Sequence, residues 1–359
     1  MRRDVRSTAE DERDGIIRSA LLDHFDRTAR DLPWRTDRTP YRVLVSEVML
    51  QQTRVETVVP YYHRWLLQFP DLGALARAPV DGVLKMWEGL GYYSRARNLH
   101  RTAREVCRRY GGELPSTKAE LRSLPGIGEY TAGAVASIAF SRAEPAVDGN
   151  VRRVLSRLDD LEDPRASALV DRAATLVDRA RPGDFNEALM ELGATICRPR
   201  GPLCGECPLA RACLALEAGT IAERPPPRRR RAPRSVTIDV AVLLDADDRA
   251  LFVRRPPDGL LGGLWEFPER TRLPDTPLVR EAGELEPVFH AFTHLHATYR
   301  PTILRAENPL DQHDPLLGPF ETRWLPLSRT DGVTLPVAQQ RIASAALAWL
   351  GESRGPQGA

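Results

Sequence analysis

Four of the chain's five cysteines fall within "CRPRGPLCGECPLARAC", and no other feature restricts the possible folds so tightly. Cys197, Cys204, Cys207 and Cys213 stand in the pattern C-x6-C-x2-C-x5-C. The opening stretch "MRRDVRSTAEDERDGIIRSALL" has no apolar run of the secretory kind, so such crowding points to a metal site rather than to disulfides. Structural zinc sites usually pair two short C-x2-4-C knuckles across a longer spacer. Here only Cys204 and Cys207 form such a pair. The spacing therefore favours four thiolates around an iron–sulfur cluster, with zinc as the alternative. The fifth cysteine, Cys107, lies on an apolar stripe with Leu99, Ala103, Val106 and Tyr110. It reads as a buried structural thiol on a helix that Gly111 ends.

The chain has 359 residues, room for two or three domains, and its 42% hydrophobic and 28% charged content is that of a soluble globular protein. No stretch approaches the length needed to cross a bilayer, so a cytoplasmic or nucleoid location is expected. A net charge of +2 implies no strong global attraction to nucleic acid. Lys85 and Lys118 are the only lysines, which leaves few amines for covalent chemistry.

The hydrophobic period divides the chain. Residues 1–221 read as an all-α domain. Residues 222–235, "AERPPPRRRRAPRS", have the composition of a solvated linker, although the arginines could also touch phosphates. Residues 236–352 alternate β-branched and aromatic residues in "SVTIDVAVLLD", "ALFVRR" and "HAFTHLHATYRPTIL", then close with the helical "PVAQQRIASAALAWL". This predicts an α+β domain of about a hundred residues or slightly more. Residues 353–359 read as a flexible tail.

Three stretches carry candidate chemistry. In "YRVLVSEVMLQQTRV", Val43, Glu47 and Leu50 fall at i, i+4 and i+7, which puts Glu47 within the apolar face of a helix. A carboxyl drawn into apolar surroundings has a raised pKa and can donate a proton near neutral pH. Gln51, Gln52 and Thr53 follow with polar groups able to reach base edges. In "STKAELRSLPGIGEYTAGAVASIAF", Gly126 and Gly128 form a tight turn before a helix N-terminus. Residues 117–140 thus read as a helix-hairpin-helix that grips a DNA phosphate without reading sequence. In "EPAVDGNVRRVL", Val151, Val154, Leu155 and Leu158 begin an amphipathic helix that Asn150 or Asp148 could cap; Asn150, directly before the apolar run, is able to do so without Asp148. That leaves Asp148 free for chemistry, favoured as an anion by the helix's N-terminal field. A fourth stretch, "EGLGYYSRARN", sets Tyr92 and Tyr93 on a glycine loop, where tyrosines either stack on bases or pack in a core.

Together with "PWR", "SEVMLQQTRVETV", "GLGYYSRARNL", "LPGIGEYTAGA", "PAVDGNV" and "GLWEFP", these features resemble the adenine DNA glycosylases of the MutY type, in the endonuclease III superfamily. The likeness spans nearly the whole chain. It implies an all-α helix-hairpin-helix glycosylase domain with an iron–sulfur loop at 197–213, followed by an α+β Nudix-like domain. It implies a [4Fe-4S] cluster on Cys197, Cys204, Cys207 and Cys213. Asp148 matches the catalytic aspartate and Glu47 the acid that protonates N7 of adenine. Asn150 matches a residue that positions the aspartate and water. Tyr130 stands where bifunctional relatives carry a Schiff-base lysine, which implies hydrolysis without strand cleavage. Gln52 and Tyr92 resemble residues inserted into the duplex; Trp34, Arg35 and Glu187 resemble parts of the adenine pocket. Leu50, Thr53, Gly126 and Gly128 are further expected DNA contacts.

The reaction's charge pattern suits two carboxyl groups: one to protonate the departing base, one to face the cationic sugar. The resemblance implies a retaining mechanism on adenine flipped from a mispair with 8-oxoguanine or guanine, leaving an abasic site. The enzyme is expected to bind double-stranded DNA as a monomer. In the second domain, Phe292, Thr293 and His294 match the family's Phe-Ser-His lesion loop, with threonine in place of serine. "REAGELEP" is only a fragment of a Nudix box, so nucleotide hydrolysis is not expected. The rival readings are an endonuclease III-like lyase, opposed by Tyr130; a silent lesion sensor, opposed by Glu47 and Asp148; and a Nudix hydrolase with a DNA-binding appendage.

Overall fold

The computed structural model describes residues 4–226, 232–273, 279–306 and 320–353, with side chains from Ala9 onward. The arginine run of the expected linker, residues 228–231, and most of the expected tail, 354–359, lie outside the described residues. By packing, the chain forms two units. One is Met1–Ala78 with Asn98–Arg229, and the other is Pro79–Arg97 with Arg230–Ala359.

Helices come first in the chain: α1 (Asp4–Thr28), α2 (Pro33–Thr36), α3 (Pro40–Leu50), α4 (Val55–Gln68), α5 (Leu72–Arg77), α6 (Val80–Met86) and α7 (Ser94–Tyr110). Then follow α8 (Lys118–Arg122), α9 (Glu129–Phe140), α10 (Gly149–Leu158), α11 (Ala166–Leu176), α12 (Pro182–Thr195) and α13 (Leu214–Glu217). Local chemistry sets many of the starts. Helices α2, α3 and α12 begin with proline, whose missing N–H is not needed in a first turn. Asp71 caps α5 by accepting from the Ala74 N–H at 2.6 Å. Thr117 caps α8 by accepting from the Glu120 N–H at 3.3 Å, while its hydroxyl donates to the Glu120 carboxylate at 2.5 Å.

In the first unit, Ile17, Leu21 and Phe25 of α1 share a core with Val151 and Leu155 of α10, Leu169 of α11, and Phe185 and Leu189 of α12. Helix α9 takes its place through small residues: Thr131 through Ile138 are all buried. A Cβ on Gly133 would stand 2.1 Å from the Pro145 carbonyl oxygen, so only glycine lets the following segment pass so close. Helix α3 packs on α9, α9 on α12, and α12 on α10. Four helices that carry candidate residues are therefore neighbours. The α7 stripe of Leu99, Ala103 and Val106 is buried as expected, but Cys107 is half-buried.

The second unit holds β1 (Arg234–Leu244), β2 (Arg249–Arg254), β3 (Trp265–Glu266), β4 (Val279–Glu284), β5 (Val288–Ala291), β6 (Leu295–Ala306), β7 (Thr322–Pro326) and α14 (Val337–Ser353). The sheet runs β3-β2-β1-β6-β4, with β7 also paired to β2 and β5 to β6. Strands β1 and β6 are parallel from Arg234↔Leu295 to Leu244↔Arg305. In the middle of the sheet β1 is buried on both faces. Val240, Val242 and Leu244 join the core that contains Ile342 and Ala346 of α14, whereas Ala241 and Leu243 join one around Leu273 and Leu304. The "REAGELEP" fragment runs along β4 as a mainly exposed strand. Residues 79–97 belong to this unit: the Leu335 N–H donates to Glu88 Oε1 at 2.8 Å and Lys85 Nζ to the Val333 carbonyl at 3.1 Å.

Candidate active site

Glu47 sits on α3 with Val43 on the same buried stripe, and only 6% of it is exposed. The Tyr130 hydroxyl, from the first turn of α9, donates to Glu47 Oε2 at 2.5 Å. Burial pushes the Glu47 carboxyl up to about 7. The Tyr130 hydrogen bond opposes that rise, the negative charges of Glu187 and Asp148 add to it, and Arg35 opposes it. A carboxyl so placed is protonated for a large part of the time near neutral pH. Tyr130 is itself held well above the ordinary tyrosine range by burial, so it stays a neutral donor.

Asp148 stands at the other side of this chemistry, and here one expectation is corrected. Asp148, not Asn150, caps α10. Its backbone is extended, and its Oδ1 accepts from the Val151 N–H at 2.7 Å. Asn150 lies within the first turn of the helix and donates its Nδ2 to Asp148 Oδ2 at 3.1 Å. The helix begins at Gly149, and a cap must precede the first helical residue. Burial raises the Asp148 carboxyl, while the Val151 and Asn150 backbone donors, Arg153 and the Asn150 side chain pull the other way. Arg153 in turn donates to Asn150 Oδ1 at 2.8 Å and to the Gly193 carbonyl at 2.6 Å. Glu47 has one hydrogen-bond donor and a buried stripe, whereas Asp148 has several donors and a cation nearby. The two environments suit an acid and an anion respectively.

Both carboxyl groups line one cavity of about 980 Å³. Trp34, Arg35, Glu187 and Tyr130 line it too, and so do Leu50, Gln52, Thr53, Gly126, Gly128 and Asn150. Trp34 is wedged edge-on against the Tyr62 ring at 5.5 Å. Arg35 is a double anchor, 3.2 Å from Glu187 and 2.9 Å from Glu191. Glu187 is also bound by Arg38. Gln52 takes a left-handed φ of 57°, which presents an exposed amide at the rim. Gly126 has φ +74°, and a Cβ there would strike Asn98 at 2.4 Å. Neither lysine lines the cavity, and Lys118 is paired with Glu129 at 2.7 Å.

Residues 45–178 match the family described as "HhH-GPD superfamily base excision DNA repair protein", and residues 239–345 match the NUDIX domain. The chain is 38% identical to "Adenine DNA glycosylase" of Homo sapiens over 401 positions, covering 91% of this chain and 73% of that one. It is 39% identical to the protein of the same name from Buchnera aphidicola subsp. Baizongia pistaciae over 193 positions, covering 53% and 54%. The chain belongs to the adenine DNA glycosylase family.

A thermostable thymine-DNA glycosylase structure superposes with TM-score 0.55 at 31% identity, covering 58% of this chain and 99% of that one. Endonuclease III in a non-covalent DNA complex gives TM-score 0.50 at 24% identity over 57% and 97%, a likeness of fold.

The expected duplex- and lesion-contacting residues not yet placed lie in the second unit. Tyr93 is buried and Tyr92 is 46% exposed, so the tyrosine pair splits between core and surface. Tyr92 Oη and Thr293 Oγ1 are 2.8 Å apart, and His294 is exposed beside them in sequence. Phe292 packs edge-on against His290, with ring centres 4.5 Å apart.

The four cysteines converge on a second, apolar cavity with Ile196, Pro202 and Leu216 in its wall. Arg157 bridges this region, donating to Cys197 Sγ at 3.4 Å and to the Arg198 carbonyl at 2.8 Å. Among the described residues no three His, Cys, Asp or Glu close around a single metal ion. Four thiols lining one cavity are the donor set that an iron–sulfur cluster or a zinc ion would take.

Two further cavity residues have a signal that is legible in the sequence. Met190 lies one turn after Glu187, with its sulfur 3.1 Å from the Tyr130 hydroxyl. Glu191 is the i+4 neighbour of Glu187. Arg30 has none, because its partner Glu191 lies far away in sequence; Arg153 stands one turn after Asn150, but its bond to the Gly193 carbonyl has no local sign.

Proposed function

We propose that this protein removes adenine from double-stranded DNA where it is mispaired with 8-oxoguanine or guanine, and leaves an abasic site. The observation that carries the reading is the Glu47–Tyr130 pair and the Asp148 cap lining one cavity. Adenine flips out of the stack into that cavity. Protonated Glu47 gives its proton to N7, and the glycosidic C–N bond breaks with its electron pair moving to the base. Asp148 faces the sugar cation and holds or traps it. Water then supplies the oxygen at C1′ on the retained face, with its proton returning to a carboxylate. Asn150 keeps Oδ2 of Asp148 oriented. With Tyr130 hydrogen-bonded to Glu47 and no lysine in the cavity, no amine is present for a Schiff base, which supports a monofunctional hydrolase.

Recognition of 8-oxoguanine falls to Phe292, Thr293 and His294, with Tyr92 beside Thr293. Threonine retains the hydroxyl of the family's serine. Cys197, Cys204, Cys207 and Cys213 would hold a [4Fe-4S] cluster, which ties the loop after α12 to the rest of the fold when bound. The same reading has the protein acting on DNA as a monomer in the cytoplasm; no helix among the described residues is long and apolar enough to cross a membrane.

A duplex with adenine opposite 8-oxoguanine tests the function. Strand breaks that appear only after alkali are expected. Breaks without alkali would indicate a lyase, and no release of adenine would overturn the proposal. Iron and acid-labile sulfide measured on the purified protein test the cluster; zinc in their place would refute it.

A further inference from the structure

The chain reaches Asp148 through residues 141–148, a stretch with no helix or strand, in which Pro145 and Ala146 are buried. Backbone groups in such a stretch have no ladder to satisfy them, and leaving them unpaired in the interior is costly. One side chain takes on that task. Asn186, on α12, is wholly buried. Its Oδ1 accepts from the Ala146 N–H at 3.1 Å, and its Nδ2 donates to the Glu144 carbonyl at 2.8 Å. The amide thus engages the segment on both sides of Pro145, as a neighbouring parallel strand would. Its second N–H goes to Ser137 Oγ on α9 at 2.8 Å.

Three elements therefore meet on one amide. Helix α9 carries Tyr130, α12 carries Glu187 next to Asn186, and the segment ends two residues later in Asp148. Gly133 lets α9 close directly on Pro145, since any Cβ there would collide with the Pro145 carbonyl. The segment is gripped at 144–146 and then enters the α10 cap. Asn186 itself does not line the cavity.

We propose that Asn186 is a positioning residue for Asp148: it sets where the carboxylate stands relative to the Glu47–Tyr130 pair without touching the substrate. The inference rests on the adenine-excision reading. A misplacement of about 1 Å at a reacting group can cost on the order of 100-fold in rate. Asn186→Ala removes all three bonds. Asn186→Asp keeps the shape and the acceptor for Ala146, and loses the paired donors.

The test separates chemistry from binding. Single-turnover adenine release is measured with enzyme in excess on a duplex with adenine opposite 8-oxoguanine. Affinity is measured on the same duplex carrying an uncleavable 2′-fluoro adenine nucleotide. Thermal unfolding followed by circular dichroism identifies which variants are folded at the assay temperature. Release is expected to slow about 100-fold in Asn186→Ala and at least about 10-fold in Asn186→Asp, with affinity within about threefold of the unaltered protein. A folded variant that releases adenine within about threefold of the unaltered rate overturns the positioning role. So does a loss of rate matched by an equal loss of affinity. If the unaltered protein releases no adenine, the excision reading falls and takes this inference with it, whereas normal release by both proteins sinks the positioning role alone.

Discussion

Replacing Glu47 by glutamine should abolish adenine release and yet make the helical unit more stable in alkali. The ordinary glutamate value is 4.5, and burial raises Glu47 to about 7. That difference of about 2.5 pH units, at ~1.4 kcal/mol each, is about 3 to 4 kcal/mol. The sign follows from proton linkage. A group whose folded pKa exceeds its unfolded pKa binds its proton more tightly when folded. Its favourable contribution is complete below about 4.5 and is lost as pH rises to about 7. Above that, the folded wild type holds a buried carboxylate with its full desolvation cost, and a neutral glutamine does not. Urea unfolding, followed by far-ultraviolet circular dichroism without DNA, should therefore give nearly equal stabilities for the two proteins near about pH 4.5. At about pH 8 the variant should be ahead by about 3 to 4 kcal/mol. Coupling to Glu187 and Asp148 spreads the rise over a wider range without changing its direction. A difference that does not vary with pH, or that favours the wild type in alkali, would show that Glu47 is not the desolvated acid described above.

The remaining predictions concern its partners. Tyr130→Phe removes the hydrogen bond that favours ionised Glu47, so the alkaline limb of the adenine-release profile should move to higher pH; movement to lower pH would refute the assigned direction. Asp148→Asn should abolish release while duplex binding persists. Asparagine caps as well as aspartate, so stability measured by denaturation should change by less than about 1 kcal/mol, and a larger loss would mark Asp148 as chiefly structural. His294→Ala should erode the preference for adenine opposite 8-oxoguanine over adenine opposite guanine in competing single-turnover assays. An unchanged ratio would remove that loop from lesion recognition.

Much of the site is legible along the chain because its local rules are strong. A glutamate at i+4 on an apolar stripe is buried whichever helix it faces, and that alone raises its pKa. Glycines at 126 and 128 bend a hairpin in any context. Four cysteines in one short loop must share a neighbourhood. The α10 cap is not decided by the sequence, since Asp148 and Asn150 are both good capping residues and only the backbone angles choose between them. On the proposed mechanism one residue is both cap and catalyst: Oδ1 serves the helix, while Oδ2, held by Asn150, faces the sugar. The grouping of residues 79–97 with the second unit had no local sign either, because α6 is helical like its sequence neighbours and the contacts of Lys85, and of Glu88 just after the helix, reach residues 333 and 335.

The sequence by itself determined the order of the helices, the change to an α+β fold, and which residue types could donate a proton, face a cation or bind iron. These follow from short-range spacing and side-chain chemistry. Only the tertiary structure decided which of those groups meet. Tyr130 reaches Glu47 across 83 positions, Arg35 finds Glu187 across 152, and Asn186 braces a segment 40 positions away. Long-range hydrogen bonds of this kind depend on how helices pack, and packing is a property of the whole core rather than of any motif.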